Sequence, residues 1–376
     1  APGSGSVHGA FSGGDNGVAG FNSSGSTAGT AAAAAYKFYE NIAAAGSQGF
    51  VLSSGADGTN AYKKALNLIA NADEYDINMI MLPGIIDSLA GGHTATISKA
   101  VSEHAPGVQM RKQTMGGTQQ YIPVVNAGEL GFGISNIAQY YMAITGTGLS
   151  KGNKYDNLRL ITTMMKFTVS FVVPIKSGVT KVAQLSGKRM ATGFKGAPLF
   201  VNIHNGGIAT AGLTVNDMKS VPMVGLVQHW RAFMAGKIDF AIVAAGSGFA
   251  KQMQAKIDGG IRHIGFPKGA ASLEKMRKHF PKTEWSVVNP RKGLTGVLEP
   301  TNFVSYDYLL WTHKGMSDEV VYKTAKVMHT QEKQLKEGGP LWRSFQANER
   351  LAKNQGNDVP YHPAAIKYYK EVGLLK

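Results

Sequence analysis

The stretch TVSFVVPIKSGVTKVAQLSGKRMA, residues 168–191, decides the fold of this chain. Its first part is an apolar run that predicts a buried strand over Thr168–Pro174. A short helix and a turn follow it and lead into a new strand. A second apolar run, Phe303–Trp311, predicts another buried strand. We therefore expect Phe171–Ile175 and Phe303–Trp311 to be a pair of crossing strands, one leaving and one re-entering the first part of the fold.

The chain changes character near residue 100. Residues 1–95 contain three lysines and no arginine against seven acidic residues, whereas the remainder contains 36 basic and 17 acidic residues. After the break, apolar runs alternate with helical patterns, which is typical of an α/β protein. The basic residues are spread along the chain with few aromatic residues between them, which argues against a nucleic-acid partner and indicates only a general attraction for anions.

Several classes of site are disfavoured by the sequence. No apolar run approaches the roughly 20 residues that cross a bilayer, so we expect no membrane insertion. The chain has no cysteine, which excludes disulfides and thiolate chemistry. No histidine pair has the spacing and carboxylate partner of a helical zinc site. Gly148–Gly152 has the spacing of a nucleophile elbow but lies in a predicted exposed loop. We expect no enzyme activity, metal or cofactor, although fold alone leaves an enzyme open.

Four loops that join strands to helices are candidates for a ligand site. The unpaired N–H groups and the dipole of a helix N-terminus attract carboxylates and phosphates, and Lys195 adds a cation to one loop. Taken singly, a Gly-Gly-Thr sequence is also explained by an ordinary turn with an N-cap. The candidate ligand-binding residues are Gly116, Gly117, Thr118, Gln119, Ser135, Asn136, Gly193, Lys195, Gly196, Ala197, Gly246 and Ser247.

Residues from about 97 to 373 resemble the TAXI family of TRAP transporter solute receptors. The order and spacing of several segments carry the resemblance, and no single motif does. These segments are Ser102–Val108, Asn126–Leu130, Ile175–Ala191, Ala211–Thr214, Gly236–Asp239 and Val359–Tyr369.

The resemblance implies an α/β fold of the two-lobed periplasmic binding protein type II-like class. Its first lobe would comprise residues 96–178 and 298–376, and its second lobe residues 179–297. It further implies a periplasmic receptor that closes on a small organic anion, such as a glutamate-like solute, and delivers it to TRAP membrane permease subunits. Ala1–Gly29 lacks the basic start and apolar core of a secretory signal, so we expect no signal peptide in this chain.

The first 95 residues are predicted to be a separate, short α/β extension. Asn71–Asn78 followed by Leu82–Ile86 resembles the sheath protein of contractile phage tails over about residues 10–99. That resemblance implies a structural, self-assembling segment, while a Gly-rich loop with a generic βα unit explains it equally well. A natural fusion and a misjoined gene both remain open, and the chain could be a chimera without an intact binding function. Ala1–Gly29 has few large apolar side chains, so we expect it to be poorly ordered.

The extension also bears on the receptor fold. The TAXI family opens with a strand and a Gly-Thr-Gly-Gly-x-x-Tyr loop, which this chain lacks. We expect Ile77–Leu82 to serve as the first strand, Gly91–Thr94 as the loop and Ile97–His104 as the helix.

Overall fold

The computed structural model describes residues 79–84, 89–115, 117–356 and 358–376. Residues 79–376 form one compact unit. Most of the tail-sheath-like segment, and the predicted poor order of Ala1–Gly29, lie outside the described residues. The unit mixes helices and strands, which confirms the predicted α/β class.

The strands are, in chain order, β1 Met79–Gly84, β2 Gln109–Thr114, β3 Phe132–Asn136, β4 Leu158–Pro174, β5 Arg189–Gly193, β6 Lys219–Met223, β7 Ala241–Val243, β8 Ile261–Ile264, β9 Glu284–Val288 and β10 Thr301–His313. The helices are α1 Leu89–His104, α2 Thr118–Ala127, α3 Ile137–Thr145, α4 Leu199–Ala209, α5 Leu226–Met234, α6 Gly248–Lys256, α7 Ala270–His279, α8 Asp318–Thr330, α9 Glu332–Glu337, α10 Ala347–Arg350 and α11 Pro363–Glu371.

Two long antiparallel strands, β4 and β10, connect the two lobes. They pair from Val304↔Val169 to His313↔Leu158. The end of β4 also pairs with β7 and β8 of the second lobe. The start of β10 pairs with β9 of the second lobe, and its end pairs with β3 of the first. Each strand therefore contributes to both lobes, which confirms the crossing pair expected from the sequence. The exact lobe limits at residues 178 and 297 remain predictions.

The first lobe begins with β1, which pairs in parallel with β2. The helices α1, α8 and α11 pack around this part of the fold. The predicted strand at Ile77–Leu82 is thus confirmed, with bounds shifted to Met79–Gly84. A strand from outside the receptor-like region completes the sheet pairing of the lobe.

The second lobe contains the parallel pair β5 and β6, with Arg189 opposite Lys219. A cluster of buried side chains from β5, α5 and α6 forms its core, including Phe194, Trp230 and Met253. The short strands β7 and β8 attach this lobe to β4. The alternation of strand and helix places the loops after β5, β6 and β7 at helix N-termini.

The core of the first lobe explains one glycine in a strand. Gly133 of β3 lies opposite Trp311 of β10. A Cβ atom at Gly133 would come within 2.4 Å of the Trp311 ring, closer than atoms can approach. The indole is fully buried and its Nε1–H donates to Ser135 Oγ at 3.0 Å. Gly133 therefore makes room for the largest side chain of the core.

A buried polar cluster lies where β10 passes between the lobes. Asp307 is 5% exposed, and the register of β10 against β4 shifts beside it. It contacts the guanidinium of Arg350, and its Oδ2 lies 3.0 Å from Lys353 Nζ and 3.1 Å from Asn354 Nδ2. Burial alone would raise the pKa of Asp307, but Arg350 and Lys353 hold it below its usual value. The cluster ties the crossing strand to the C-terminal segment of the chain.

The structure corrects two sequence predictions of local structure. Gly91–Thr94 is part of α1, which starts at Leu89, and is not a loop. Paired glycines favour loops, but propensity is a weak prior that packing overrides. Two apolar runs, Leu158–Met164 and Thr168–Pro174, each predict a strand, and the structure joins them in one strand, β4. Lys166 lies between the two runs and within the strand, with its ammonium 3.2 Å from Glu284 Oε2.

Candidate functional site

The first candidate loop lies between β2 and α2. Gly116 is outside the described residues, and Gly117 is the N-cap of α2 without a side-chain capping bond. The first N–H groups of a helix have no acceptor within it, so those of Thr118 and Gln119 are available to a ligand. The Thr118 hydroxyl lies 3.1 Å from the Tyr121 hydroxyl, which donates to the Ile134 carbonyl. Tyr121 therefore ties α2 to β3, whereas the Thr118 side chain bonds within its own helix.

Gln119, in the first turn of α2, has a side-chain donor that lacks an acceptor. Its amide nitrogen is buried and has no hydrogen-bond partner among the described residues. A buried donor without an acceptor costs free energy, about 1–3 kcal/mol, unless another group accepts from it. Gln119, the second residue after the N-cap glycine, thus carries a buried side-chain donor within the first turn of α2.

Ser135 and Asn136 close the end of β3. Ser135 Oγ accepts from Trp311, and Asn136 caps α3 by accepting from the Gln139 N–H at 2.9 Å. Both residues are buried. Asn136 lies opposite Tyr308 in the sheet, and burial raises the pKa of Tyr308 to about 12. The side-chain bonds of Ser135 and Asn136 are therefore structural, and they position α3.

The loop from Gly193 to Pro198 differs from the expected anion cradle. The Gly196 N–H donates to the Val224 carbonyl at 2.9 Å, and the Ala197 N–H donates to the Phe194 carbonyl at 2.8 Å. Phe194 is fully buried in the second lobe. These two N–H groups are thus used within the protein in this conformation, and an anion at this loop stays a prediction. Lys195 and Gly196 are exposed.

Gly246 and Ser247 lie between β7 and α6. The Ser247 hydroxyl caps α6 by accepting from the Ala250 N–H at 3.2 Å. A Cβ atom on Gly246 would lie 3.6 Å from Leu294, within the second lobe. These two residues thus form an ordinary capped junction, with the exposed Gly246 at the surface.

Loops of the two lobes meet at Gly117 and Gly196. A Cβ atom on Gly117 would lie 3.5 Å from the Gly196 carbonyl oxygen. Among the predicted site residues, Gly117 and Gly196 are a pair that comes close together across the lobes. The lobes therefore touch at the first and third candidate loops, and the buried amide of Gln119 lies two residues from that contact.

The loop after β6 also lies in this region and was not predicted from the sequence. The Val224 carbonyl accepts the Gly196 N–H, and the Val224 N–H donates to Gln228 Oε1 at 2.6 Å. Val224 is 64% exposed, unusual for a large apolar side chain. Its βα junction ends in Gly225, the N-cap of α5, which is the same signal as at Gly117. Pro222 makes β6 hard to predict from the sequence, because proline is rare inside strands.

Two cavities lie away from the predicted loops. One, of about 300 Å³, is lined by residues of the second lobe that include Lys188, Arg189 and Asp239. The other, of about 670 Å³, is lined by residues of the first lobe that include Tyr322 and Lys367. None of the predicted site residues lines either cavity. The candidate site is thus a contact between loops in this conformation.

Neither a metal nor a membrane anchor is indicated within the described ranges. Among these residues, no group of three or more His, Asp or Glu side chains could hold a metal ion. In the same part of the chain, no helix combines the length and apolar character needed to cross a membrane.

Solved structures with a similar arrangement include several solute-binding proteins. The alkanesulfonate-binding protein SsuA from Xanthomonas axonopodis pv. citri, bound to MOPS, is 16% identical with a TM-score of 0.42, over 80% of this chain and 81% of that chain. PhnD1 from Prochlorococcus marinus, in complex with methylphosphonate, is 10% identical with a TM-score of 0.47, over 79% and 99%. A TctC solute-binding protein from Polaromonas is 13% identical with a TM-score of 0.47, over 80% and 100%. With TM-scores below 0.5, these likenesses do not establish a shared ligand.

One family of proteins matches most of the chain. The model of the NMT1-like family matches residues 89–373, which include every described element except β1. The protein therefore belongs to the NMT1-like family.

Proposed function

We propose that the protein is an extracytoplasmic solute-binding receptor that captures a small organic anion between its two lobes and delivers it to a membrane permease. The observation that carries the proposal is the buried Gln119 amide, a donor without an acceptor beside the contact of Gly117 with Gly196. Membership of the NMT1-like family supports it. The sulfonate, phosphonate and TctC receptors with a similar arrangement are consistent with a solute-binding role.

The proposed ligand contacts are a part of those expected from the sequence. The first N–H groups of α2 and the Gln119 amide are donors in the same helical turn, and an anionic oxygen satisfies both kinds of donor. Lys195 is exposed on the facing loop and adds a positive charge. The excess of basic residues after residue 95 raises the local concentration of anions and thereby the association rate.

Ligand entry requires the lobes to separate. A Cβ atom on Gly117 would lie 3.5 Å from the Gly196 carbonyl oxygen, so the two loops are close together, and we propose that a ligand reaches Gln119 when the lobes move apart. The crossing strands β4 and β10 are the elements about which such a movement turns. Hinge closure of this kind suits a receptor that carries a ligand from one site to another.

The finer assignment follows the resemblance to TAXI receptors. We propose a TRAP permease as the partner, a glutamate-like or other carboxylate anion as the ligand, and the periplasm as the location. The tail-sheath-like role of the first 95 residues remains a hypothesis, because almost all of them lie outside the described residues.

A ligand screen with matched variants tests the proposal. Native mass spectrometry of protein purified without denaturation identifies any bound solute, and calorimetry then measures a panel of dicarboxylates, amino acids and sulfonates. We expect Gln119→Leu to weaken binding of the best ligand about tenfold or more, since a charge-assisted hydrogen bond contributes about 1.5–3 kcal/mol. Gln120→Leu, at the exposed neighbouring position, should bind as the wild type does. Equal affinity in both variants, or no binding across the panel, would refute the proposed site.

A further inference from the structure

A turn of the second lobe reaches across to the first lobe. Lys282 precedes β9, and its ammonium nitrogen lies 4.5 Å from the centre of the Tyr141 ring and 3.7 Å from Asp358 Oδ2. Tyr141 belongs to α3, and Asp358 lies between α10 and α11. We propose that Lys282 is a clasp that holds the two lobes together in the closed form, an inference that rests on the proposed receptor function.

The backbone at both ends of this contact supports the proposal. In the described chain, three residues other than glycine have positive φ angles: Phe194 at 43°, Lys282 at 59° and Asp358 at 57°. Such conformations are unfavourable for L-residues and persist where the surrounding structure requires them. Two of the three contact each other across the lobes. The unfavourable backbone is thus concentrated at the contact, with an ion pair across it.

The contacts of Lys282 with Tyr141 and with Asp358 differ in strength. Asp358 has 84% of its side chain exposed, so water and salt weaken its attraction for Lys282. Lys282 has only 26% of its side chain exposed and lies over the Tyr141 ring, whose face attracts a cation. The Tyr141 contact is therefore the stronger part of the clasp, and Asp358 directs the ammonium toward it.

A second set of contacts, two residues further on, has a different role. Glu284 Oε2 lies 3.2 Å from Lys166 Nζ, and its Oε1 lies 3.7 Å from Lys353 Nζ. Glu284 begins β9 and is paired with Ser305 of β10, so the ladder of the crossing strands holds it in place. Lys282 lies before the first residue of β9, outside that ladder. Movement of the lobes can therefore break the Lys282 contact while the Glu284 contacts persist.

A clasp of this strength shifts the equilibrium between open and closed molecules without holding every molecule closed. An exposed ion pair or cation–π contact changes an equilibrium by about two- to fivefold. Loss of the clasp should therefore raise the ratio of open to closed molecules by about that factor. The apparent affinity for a ligand that binds the closed form falls by up to the same factor.

The distance between the lobes tests the clasp without any ligand. The chain has no cysteine, so Lys275→Cys on α7 and Lys333→Cys on α9, both at exposed positions, accept two spin labels specifically. Pulsed electron spin resonance then gives the distribution of distances between the lobes in the full chain. We expect Lys282→Met to increase the fraction of long distances about two- to fivefold. Lys282→Arg, which keeps the cation, should retain the wild-type distribution.

A lysine elsewhere in the second lobe provides the control for Lys282→Met. Lys268→Met removes an exposed lysine of the same lobe and should leave the distances unchanged. A Lys282→Met distribution that matches the wild type and Lys268→Met would overturn the clasp, even if ligands bind normally. A shifted distribution in a protein that binds none of the ligand panel would instead refute the proposed function and leave the clasp intact.

Discussion

Three buried histidines should make the protein unstable in mild acid. His204 and His229 are 0% exposed and His263 is 2% exposed, all in the second lobe. The rings of His204 and His229 are 5.1 Å apart, and both lie against Phe194 of the loop that meets the first lobe. Burial lowers the pKa of His204 to about 4 and that of His263 to about 3. Burial, with a smaller effect of His204, lowers the pKa of His229 well below 6.5.

The size of the effect follows from proton uptake. Below pH 6.5 the unfolded chain binds protons at these imidazoles, whereas the folded chain keeps them neutral. The folded state is therefore fully stabilised above pH 6.5, and it loses stability as the pH falls toward the folded pKa values. Each neutral histidine contributes a slope of about 1.4 kcal/mol per pH unit, or about 2.5 kcal/mol between pH 6.5 and pH 4.5. A loss of that size from each of the three groups is comparable with the whole stability of many domains.

Urea unfolding at pH 6.5 and pH 4.5 measures this loss. His229→Leu removes an imidazole whose two nitrogens have no hydrogen-bond partner among the described residues. We expect its loss of unfolding free energy between the two pH values to be smaller than that of the wild type, by up to about 2.5 kcal/mol. If His229→Leu and the wild type lose the same free energy, the buried neutral imidazole is not responsible.

Three further predictions concern the lobes and the extension. The Gly117→Ala variant should close normally, because its Cβ would lie 3.5 Å from the Gly196 carbonyl, an ordinary van der Waals distance. The Gly117→Leu variant should have at least tenfold lower ligand affinity by calorimetry, and equal affinities would contradict this. Arg350→Met should lower the unfolding free energy by about 3–5 kcal/mol in urea titrations, because it removes the main partner of the buried Asp307. Adding Asp307→Asn to the Arg350→Met variant should restore part of that lost free energy. Deletion of residues 1–78 should leave a folded protein by circular dichroism, whereas deletion of residues 1–88 removes β1 and should lower the melting temperature by several degrees; identical melting curves would show that β1 is dispensable.

The sequence predicted the elements of the fold more accurately than the contacts of the site. Apolar runs and turn residues are local signals, so β4, β10 and the helix after Gly117 were all found. The two apolar runs of β4 looked like separate strands because Lys166 lies between them, and its partner, Glu284, is more than 100 residues away. Val224 was missed because Pro222 hides a short edge strand from any periodic pattern.

The sequence does not show whether a polar group is available to a ligand or is already hydrogen-bonded within the protein. The N–H groups of Gly196 and Ala197 looked available, yet both are bonded within the second lobe. Ser135 and Asn136 looked like ligand contacts, but Trp311 and Gln139 use their side chains. A helix N-terminus is visible in a sequence, whereas the acceptor that occupies it comes from another part of the chain.

By itself the sequence determined the α/β class, the two crossing strands and the strand-to-helix junctions, because each depends on residues close together in the chain. Only the tertiary structure decided that Gly117 meets Gly196, that the Gln119 amide is buried without an acceptor and that Lys282 reaches Tyr141. Those contacts join residues about 80 to 140 positions apart. They arise from the packing of one lobe on the other, which no local pattern encodes.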